Sequence, residues 1–404
     1  MRTTTARIAA LLPVLALLSA CADHSPAPMG ISASRSGVPF ASGLASPAWQ
    51  GTAATLVAQA NFNAQVAGHA YPLLGVAQYL AVQTAEGAAG GGGRNQLELD
   101  RGAVAGASAV VLTYLFPSNA QMLEDMVTAQ ANTGPGDPHP AFARGEAIGR
   151  AVGAEIVARA QGDGFSLPFT GTIPTGPGLW ISNTTPPTIA GGQLPGVTPW
   201  FLTSPSQFRS APPPAFGSAA FNVDLAEVRQ VSDTRTADQV AIAAFWAQGV
   251  GTRSTPGFWL QVATDGIDQH GLSEREATHL YALLGATMFD AQISCWDAKE
   301  TYWYIRPWQA DPAITTTAAV GKPNHPAYPS GHSCLSASAA EVLSAFFPEQ
   351  RAQLDAMVAE AGLSRIYGGI HYRFDITAGQ ALGRNVARFT IAADASGSSV
   401  LTPH

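Results

Sequence analysis

Three short segments in the last third of the chain carry residue types that could handle an anion. The first is Lys299-Glu-Thr-Tyr-Trp-Tyr-Ile-Arg306-Pro307. A spacing of seven places both cations on one helix face, two turns apart, with Pro307 ending the helix. Trp296, Tyr302, Trp303 and Tyr304 mark that helix as largely buried, and a buried cation needs an anionic partner. The second segment is Pro329-Ser330-Gly331-His332. Ser330 is a helix N-cap, and a helix opening at Gly331 aims free N–H groups at an anion. His332 then lies in the first turn, where the helix dipole disfavours a charged imidazole. The third runs from Ser364-Arg365 to His371 and Asp375. Asp375 can accept a hydrogen bond from one ring nitrogen of His371 and so orient the other toward a ligand. Each segment alone has a bland reading: a solvated Lys/Arg pair, a helix cap, a buried His satisfied by a local carboxylate. Together they supply three fixed cations, a helix N-terminus, an acid/base histidine and an oriented histidine. Phosphoryl transfer needs such charge stabilisation on equatorial oxygens, and trigonal bipyramidal vanadate has a similar shape and charge.

The three segments resemble the signature of the PAP2/vanadium-dependent haloperoxidase superfamily. That signature is Lys-x6-Arg-Pro, then Pro-Ser-Gly-His, then Ser-Arg-x5-His-x3-Asp, and every fixed position is present between 299 and 375. Pro195 to Phe221 resembles bacterial haloperoxidase-like proteins, less specifically. The resemblance implies a helical-bundle fold. It implies that Lys299, Arg306 and Arg365 bind the oxyanion, with Ser330 and the Gly331 N–H. His371 is then the vanadium ligand of a haloperoxidase or the phosphorylated nucleophile of a phosphatase. His332 is the acid/base and Asp375 orients His371.

Details around the site tilt the expectation toward a haloperoxidase with vanadate as cofactor. Trp296 matches an aromatic residue flanking the pocket of fungal chloroperoxidases, and His325 a second pocket histidine of algal bromoperoxidases. The run Ile370 to Asp375, with Arg373, resembles the haloperoxidase version of the motif. Against this, the stretch from His332 to Arg365 is short, closer to soluble acid phosphatases and some bacterial members. The alternative is therefore a soluble PAP2-type acid phosphatase, which needs no cofactor and hydrolyses phosphomonoesters through a phosphohistidine. Expected partners are small molecules: peroxide, halide and an organic acceptor, or a phosphomonoester. A lipoprotein that only binds an anion is disfavoured, since it would not need both His332 and His371. A hydrolase using Ser330 as nucleophile lacks the strand-turn-helix pattern that exposes such a serine.

The elements that must position these residues read as helices. Of 404 residues, 46% are hydrophobic and 12% charged, a balance for close-packed helices and not for a disordered chain. The net charge of −7 excludes the basic face of a nucleic-acid binder. Helix-like spacing covers Ala48 to Ala67, Leu73 to Ala85, Arg101 to Phe116, Asn119 to Ala131 and Pro140 to Gln161. Gly87 to Gly93 reads as a loop. Helices resume at Asp224 to Val231, Ala237 to Gln248, Phe258 to Asp268, Glu274 to Ile305, Gly331 to Phe347, Pro348 to Ala361 and Asp375 to Ala393. Between them, residues 162–223 include a Pro- and Gly-rich stretch long enough to cover a site entrance. The expectation is an all-α protein of two packed helical bundles: residues 46–161 and a catalytic region 224–396, joined by that irregular segment.

The first residues read as a targeting segment. Arg2 and Arg7 precede an apolar run, Ile8 to Leu18, too short to span a membrane. Leu18-Ser19-Ala20-Cys21 resembles a bacterial lipobox. It implies a signal over 1–20, lipid on Cys21, a tether over 21–45, and a place in the periplasm or on the periplasmic face of the outer membrane. Ala22, rather than Asp, follows Cys21 and resembles the outer-membrane sorting pattern. Membrane contact is expected only through that anchor. Cys295 and Cys334 lie near the motifs; a disulfide and a pair of buried thiols are both open.

Overall fold

The computed structural model describes residues 43–89, 95–132, 139–397 and 399–402. The signal, Cys21 and nearly all of the tether lie outside these residues. Among the described residues there are thirteen α-helices and no strand, and none of the helices is long and apolar enough to cross a membrane.

The first bundle comprises α1 (Ala45–Gln59), α2 (Ala64–Ala89), α3 (Gln96–Leu115), α4 (Ala120–Ala131) and α5 (Pro140–Gly162). The expected helix from Ala48 to Ala67 is two helices, broken where Asn61 takes a positive φ of 56°. Small residues let the α3 and α5 backbones nearly touch. A Cβ on Gly149 would lie 2.0 Å from the Ala103 carbonyl oxygen. The second bundle holds α6 (Ala219–Thr234), α7 (Ala237–Phe245), α8 (Ser254–His270), α9 (Glu274–Tyr302), α10 (Pro307–Ala310), α11 (Gly331–Phe346), α12 (Arg351–Tyr367) and α13 (Arg373–Ala395). One apolar core runs through both bundles, with α9 buried along most of its length between them.

Two carboxylates on α9 hold the rest of the chain against it. Glu274 accepts the first N–H groups of α1, from Ala45 (2.6 Å) and Ser46 (2.8 Å), an anion at a helix N-terminus. Asp290 accepts three successive N–H groups of the irregular segment: Trp200 (2.8 Å), Phe201 (2.7 Å) and Leu202 (3.0 Å). That segment runs from α5 to α6 with only a short 3-10 turn at Leu194–Gly196. It is thus anchored on the helix that carries Lys299.

One expectation about α9 is corrected. The helix does not continue to Ile305. It ends at Tyr302, where Trp303 turns left-handed (φ 46°) and returns its N–H to the Lys299 carbonyl at 2.8 Å. The irregular segment takes the next backbone groups: Trp180 donates to the Trp303 carbonyl (2.7 Å) and Ile305 to that of Gly178 (3.0 Å). Pro307 disfavours helical backbone at Arg306 and instead opens α10, with Arg306 as its N-cap. Lys299 and Arg306 therefore do not share a helix face. They converge across a bend.

Candidate active site

The three cations meet in the interior. Lys299 and Arg306 are fully buried and Arg365 is 2% exposed. Their surroundings differ. The Lys299 ammonium donates to the carbonyls of Pro326 (2.8 Å), Ala327 (2.9 Å) and Pro329 (2.5 Å). An ammonium has three donors, so all of them go to the loop before Ser330. The sequence expectation made Lys299 a direct oxyanion contact. Here it braces the loop, and it would meet an anion only by releasing a carbonyl. Arg306 donates to the His325 carbonyl through Nε (2.9 Å) and to the Ile370 carbonyl through Nη1 (2.7 Å). Its Nη1 and Nη2 also touch two imidazoles, at His371 Nε2 and His325 Nδ1, both 3.1 Å away. Among the described residues Arg365 donates only to the Ser364 hydroxyl (3.0 Å) and, over a longer distance, to the Ala243 carbonyl (3.3 Å).

Ser330 caps α11. Its hydroxyl accepts from the Ser333 N–H at 3.4 Å, and its own N–H donates to the Asp375 carbonyl at 3.0 Å. The N–H groups of Gly331 and His332 have no acceptor among the described residues, as expected of a helix's first turn. Close packing fixes this end. A Cβ on Gly379 of α13 would sit 2.6 Å from the Ser330 carbonyl oxygen. Trp296 lies against Gly331, 3.4 Å from where a Cβ would be.

Proton positions at two histidines follow from Arg306, which can only donate. His371 Nε2 must therefore accept, which puts its proton on Nδ1, facing Asp375 Oδ2 at 2.8 Å. The Tyr372 N–H donates to that same oxygen at 3.1 Å, while Asp375 Oδ1 is buried without a hydrogen-bond partner among the described residues. By the same argument His325 Nδ1 accepts from Arg306 at 3.1 Å, so the longer approach of that nitrogen to the Pro326 carbonyl, 3.3 Å, carries no proton. Burial, aided by the neighbouring cations, pushes His325, His332 and His371 well below the ordinary histidine range, so all three are neutral near pH 7. Burial also lowers Lys299 to about 8, Arg365 to about 9 and Arg306 to about 10, and raises Asp375 to about 7. A guanidinium keeps its proton in proteins, so Lys299 is the cation that titrates first.

His332 faces a different wall. Its Nε2 lies 3.1 Å from the Thr255 hydroxyl, and the backbone of Trp246 and Ala247 lies beside the ring. Thr255 and the turn after α7 were not among the residues singled out from sequence. They lie over 70 residues before His332, and nothing in a Ser-Thr-Pro-Gly helix start points to a histidine.

The structure brings Trp296 and His325 to the site. Their ring centroids are 5.0 Å apart, and the indole N–H donates to the Ala190 carbonyl at 2.9 Å, so the irregular segment forms part of the wall. Arg373 points elsewhere. It pairs with Glu227 at the surface and lines a groove of about 620 Å³ with Tyr328, Phe374 and the proline run 212–214. This groove lies outside the cationic cluster. Cys295 and Cys334 are both buried free thiols.

A compact cationic cluster with one shared carboxylate, helix N–H groups without an acceptor among the described residues and an unprotonated His371 Nε2 has the charge and the donors that a tetrahedral or trigonal bipyramidal oxyanion requires. The family model of the PAP2 superfamily matches residues 278–395, a span that contains all seven of Lys299, Arg306, Ser330, His332, Arg365, His371 and Asp375. Residues 278–395 belong to the PAP2 superfamily. Around this PAP2 segment the chain resembles proteins of two activities. A non-specific acid phosphatase of Providencia stuartii is 29% identical over 174 residues. The match covers 41% of this chain and 66% of that protein, just under two thirds. Among solved structures, the first bacterial vanadium-dependent iodoperoxidase aligns with a TM-score of 0.70 at 22% identity, over 86% of this chain and 95% of that one. A holo-type bacterial vanadium-dependent chloroperoxidase aligns with a TM-score of 0.64 at 15% identity, over 82% and 92%. At these identities the structural likeness establishes the fold: the PAP2 segment and the helices before it share an all-α architecture with both peroxidases.

Proposed function

We propose that this PAP2-superfamily enzyme is a vanadium-dependent haloperoxidase-like protein, oxidising halide with peroxide. The observation that carries the reading is His325. It stands inside the cationic cluster, bonded to Arg306 and flanked by Trp296. Phosphate-ester hydrolysis gives a third imidazole at that place no task, whereas peroxide and halide chemistry moves protons beside the anion.

The donor set fits vanadate. His371 Nε2 is unprotonated and able to serve as its ligand. Arg306, Arg365, Ser330 and the N–H of Gly331 would hold its oxygens, with Lys299 behind the loop. When bound, vanadate supplies a Lewis-acidic centre that activates peroxide toward halide. The chain's own residues do the rest. Asp375 keeps the proton on His371 Nδ1 and so keeps Nε2 available. Arg306 and Arg365 neutralise the anion away from water, where such charge pairs are strongest. His332, neutral at pH 7, accepts and returns a proton at the mouth of the site.

The acid phosphatase reading is favoured by one observation, the sequence match to the Providencia enzyme. Bromination of a phenol by purified protein, dependent on bromide, peroxide and added orthovanadate together, is the expected result. Phosphomonoester turnover without vanadate, and no bromination at any loading, would overturn it.

A further inference from the structure

We propose that Thr255 is a positioning residue that fixes the orientation and tautomer of His332. The inference rests on reading His332 as the acid/base of the site.

Threonine in the body of a helix usually returns its hydroxyl to the carbonyl four residues back, as Thr52, Thr84 and Thr264 do here. Thr255 is in the first turn of α8, where no such carbonyl exists. It is fully buried, and its hydroxyl bonds to His332 Nε2 at 3.1 Å. The two helices are tied at a second rung. Trp259, four residues along α8, donates its indole N–H to Ser336, four residues along α11, at 3.1 Å. Equal steps on both helices fix their register, so Thr255 must face His332.

The corner that presents Thr255 is held from several sides. Ser254 takes a positive φ of 61°, a conformation L residues reach at a cost, and it is fully buried. Its N–H donates to the Thr252 hydroxyl at 3.0 Å, and that hydroxyl donates to the Gly249 carbonyl at 2.7 Å. Tyr71 donates to the Arg253 carbonyl at 2.9 Å. It also presses on Gly257, where a Cβ would lie 2.4 Å from the phenol oxygen. Strain held in place by this many contacts marks a corner whose geometry is used.

Around His332 the charged groups are Arg365 from α12 and Arg306 from the N-cap of α10; the carbonyls of Trp246 and Ala247 complete the cradle. Both cations repel an imidazolium. The neutral partners are therefore what decide which nitrogen carries the proton. Carbonyls only accept; among the described residues, the Thr255 hydroxyl is the partner of the ring that can either donate a hydrogen bond to it or accept one from it.

The test is side-chain ¹⁵N NMR of His332 in the full chain, for wild type, Thr255→Val and Thr255→Ser, alongside the pH profile of turnover. Thr255→Val should shift the His332 ring-nitrogen signals and displace the profile, with kcat/KM falling roughly tenfold and KM little changed. Thr255→Ser keeps the hydroxyl and should restore both. Wild-type ring signals in Thr255→Val would overturn the proposal. So would a serine variant that behaves like the valine one, because packing and not the hydroxyl would then be at work. A shifted ring with no haloperoxidase turnover in any variant sinks the functional reading and leaves the role of Thr255 standing.

Discussion

The two sides of the cationic cluster are built differently. On one side three carbonyls saturate the Lys299 ammonium, and Arg306 has four of its five donors on two carbonyls and two imidazoles. On the other side Arg365 has two weak or moderate bonds and His332 meets a hydroxyl and two carbonyls, with part of its surface open. The first side is a frame. Its cations spend most of their donors on the protein itself: all three of Lys299 on backbone carbonyls, and four of the five of Arg306 on carbonyls and imidazoles. The second side keeps donor capacity for a ligand. Three residues that carry the same charge in the sequence thus do different work, and the difference is set by how many carbonyls lie within reach.

Five changes break or sharpen this contrast. His371→Ala removes the Asp375-oriented acceptor nitrogen of the cluster and should take activity to background in a turnover assay. Arg365→Lys keeps the charge and loses the planar fork; kcat should fall roughly a hundredfold while the melting temperature holds. Lys299→Met should do the reverse in emphasis. Stranding loop carbonyls costs about 2 kcal/mol, read as a lower denaturation midpoint, and the loss extends to hydrogen exchange in residues 325–331. If Lys299→Met leaves stability and exchange untouched while Arg365→Lys unfolds the protein, the frame has been assigned to the wrong side.

The fourth test is pH. Lys299 is held at about 8 in the fold against an ordinary 10.5. Between these values the folded state binds fewer protons than the unfolded one, so the contribution of Lys299 to stability rises with pH there. An oxyanion favours the charged ammonium. Its affinity should therefore fall as pH climbs through about 8, measured by calorimetric titration, and Lys299→Met should flatten that dependence. The smallest effect is at Arg373. Its exposed pair with Glu227 contributes under about 1 kcal/mol, and Arg373→Ala should leave turnover at the wild-type rate.

Much of this architecture was legible in the sequence. Apolar spacing located nearly every helix, because a helix buried on one side must repeat its apolar residues every three to four positions. The cations and both site histidines were legible through residue type and interval. What escaped was local backbone and remote contact. Trp303 carries no mark of a left-handed cap, so the bend separating Lys299 from Arg306 was hidden and one helix face was expected instead. The saturation of Lys299 depends on where the carbonyls of 326, 327 and 329 point, which residue types do not encode. Thr255 reaches His332 from another helix, through tertiary packing alone. Arg373 shows the reverse: its neighbours in sequence are site residues, but the first turn of α13 sends its side chain outward to Glu227.

The central claim is that His371 Nε2, framed by Arg306 and Asp375 and faced by Arg365, receives an oxyanion. Calorimetric titration of orthovanadate into the wild-type protein and into His371→Ala at pH 7 tests it most directly. The account predicts one site per chain in wild type and no detectable binding in the variant. Equal binding by both proteins would contradict it.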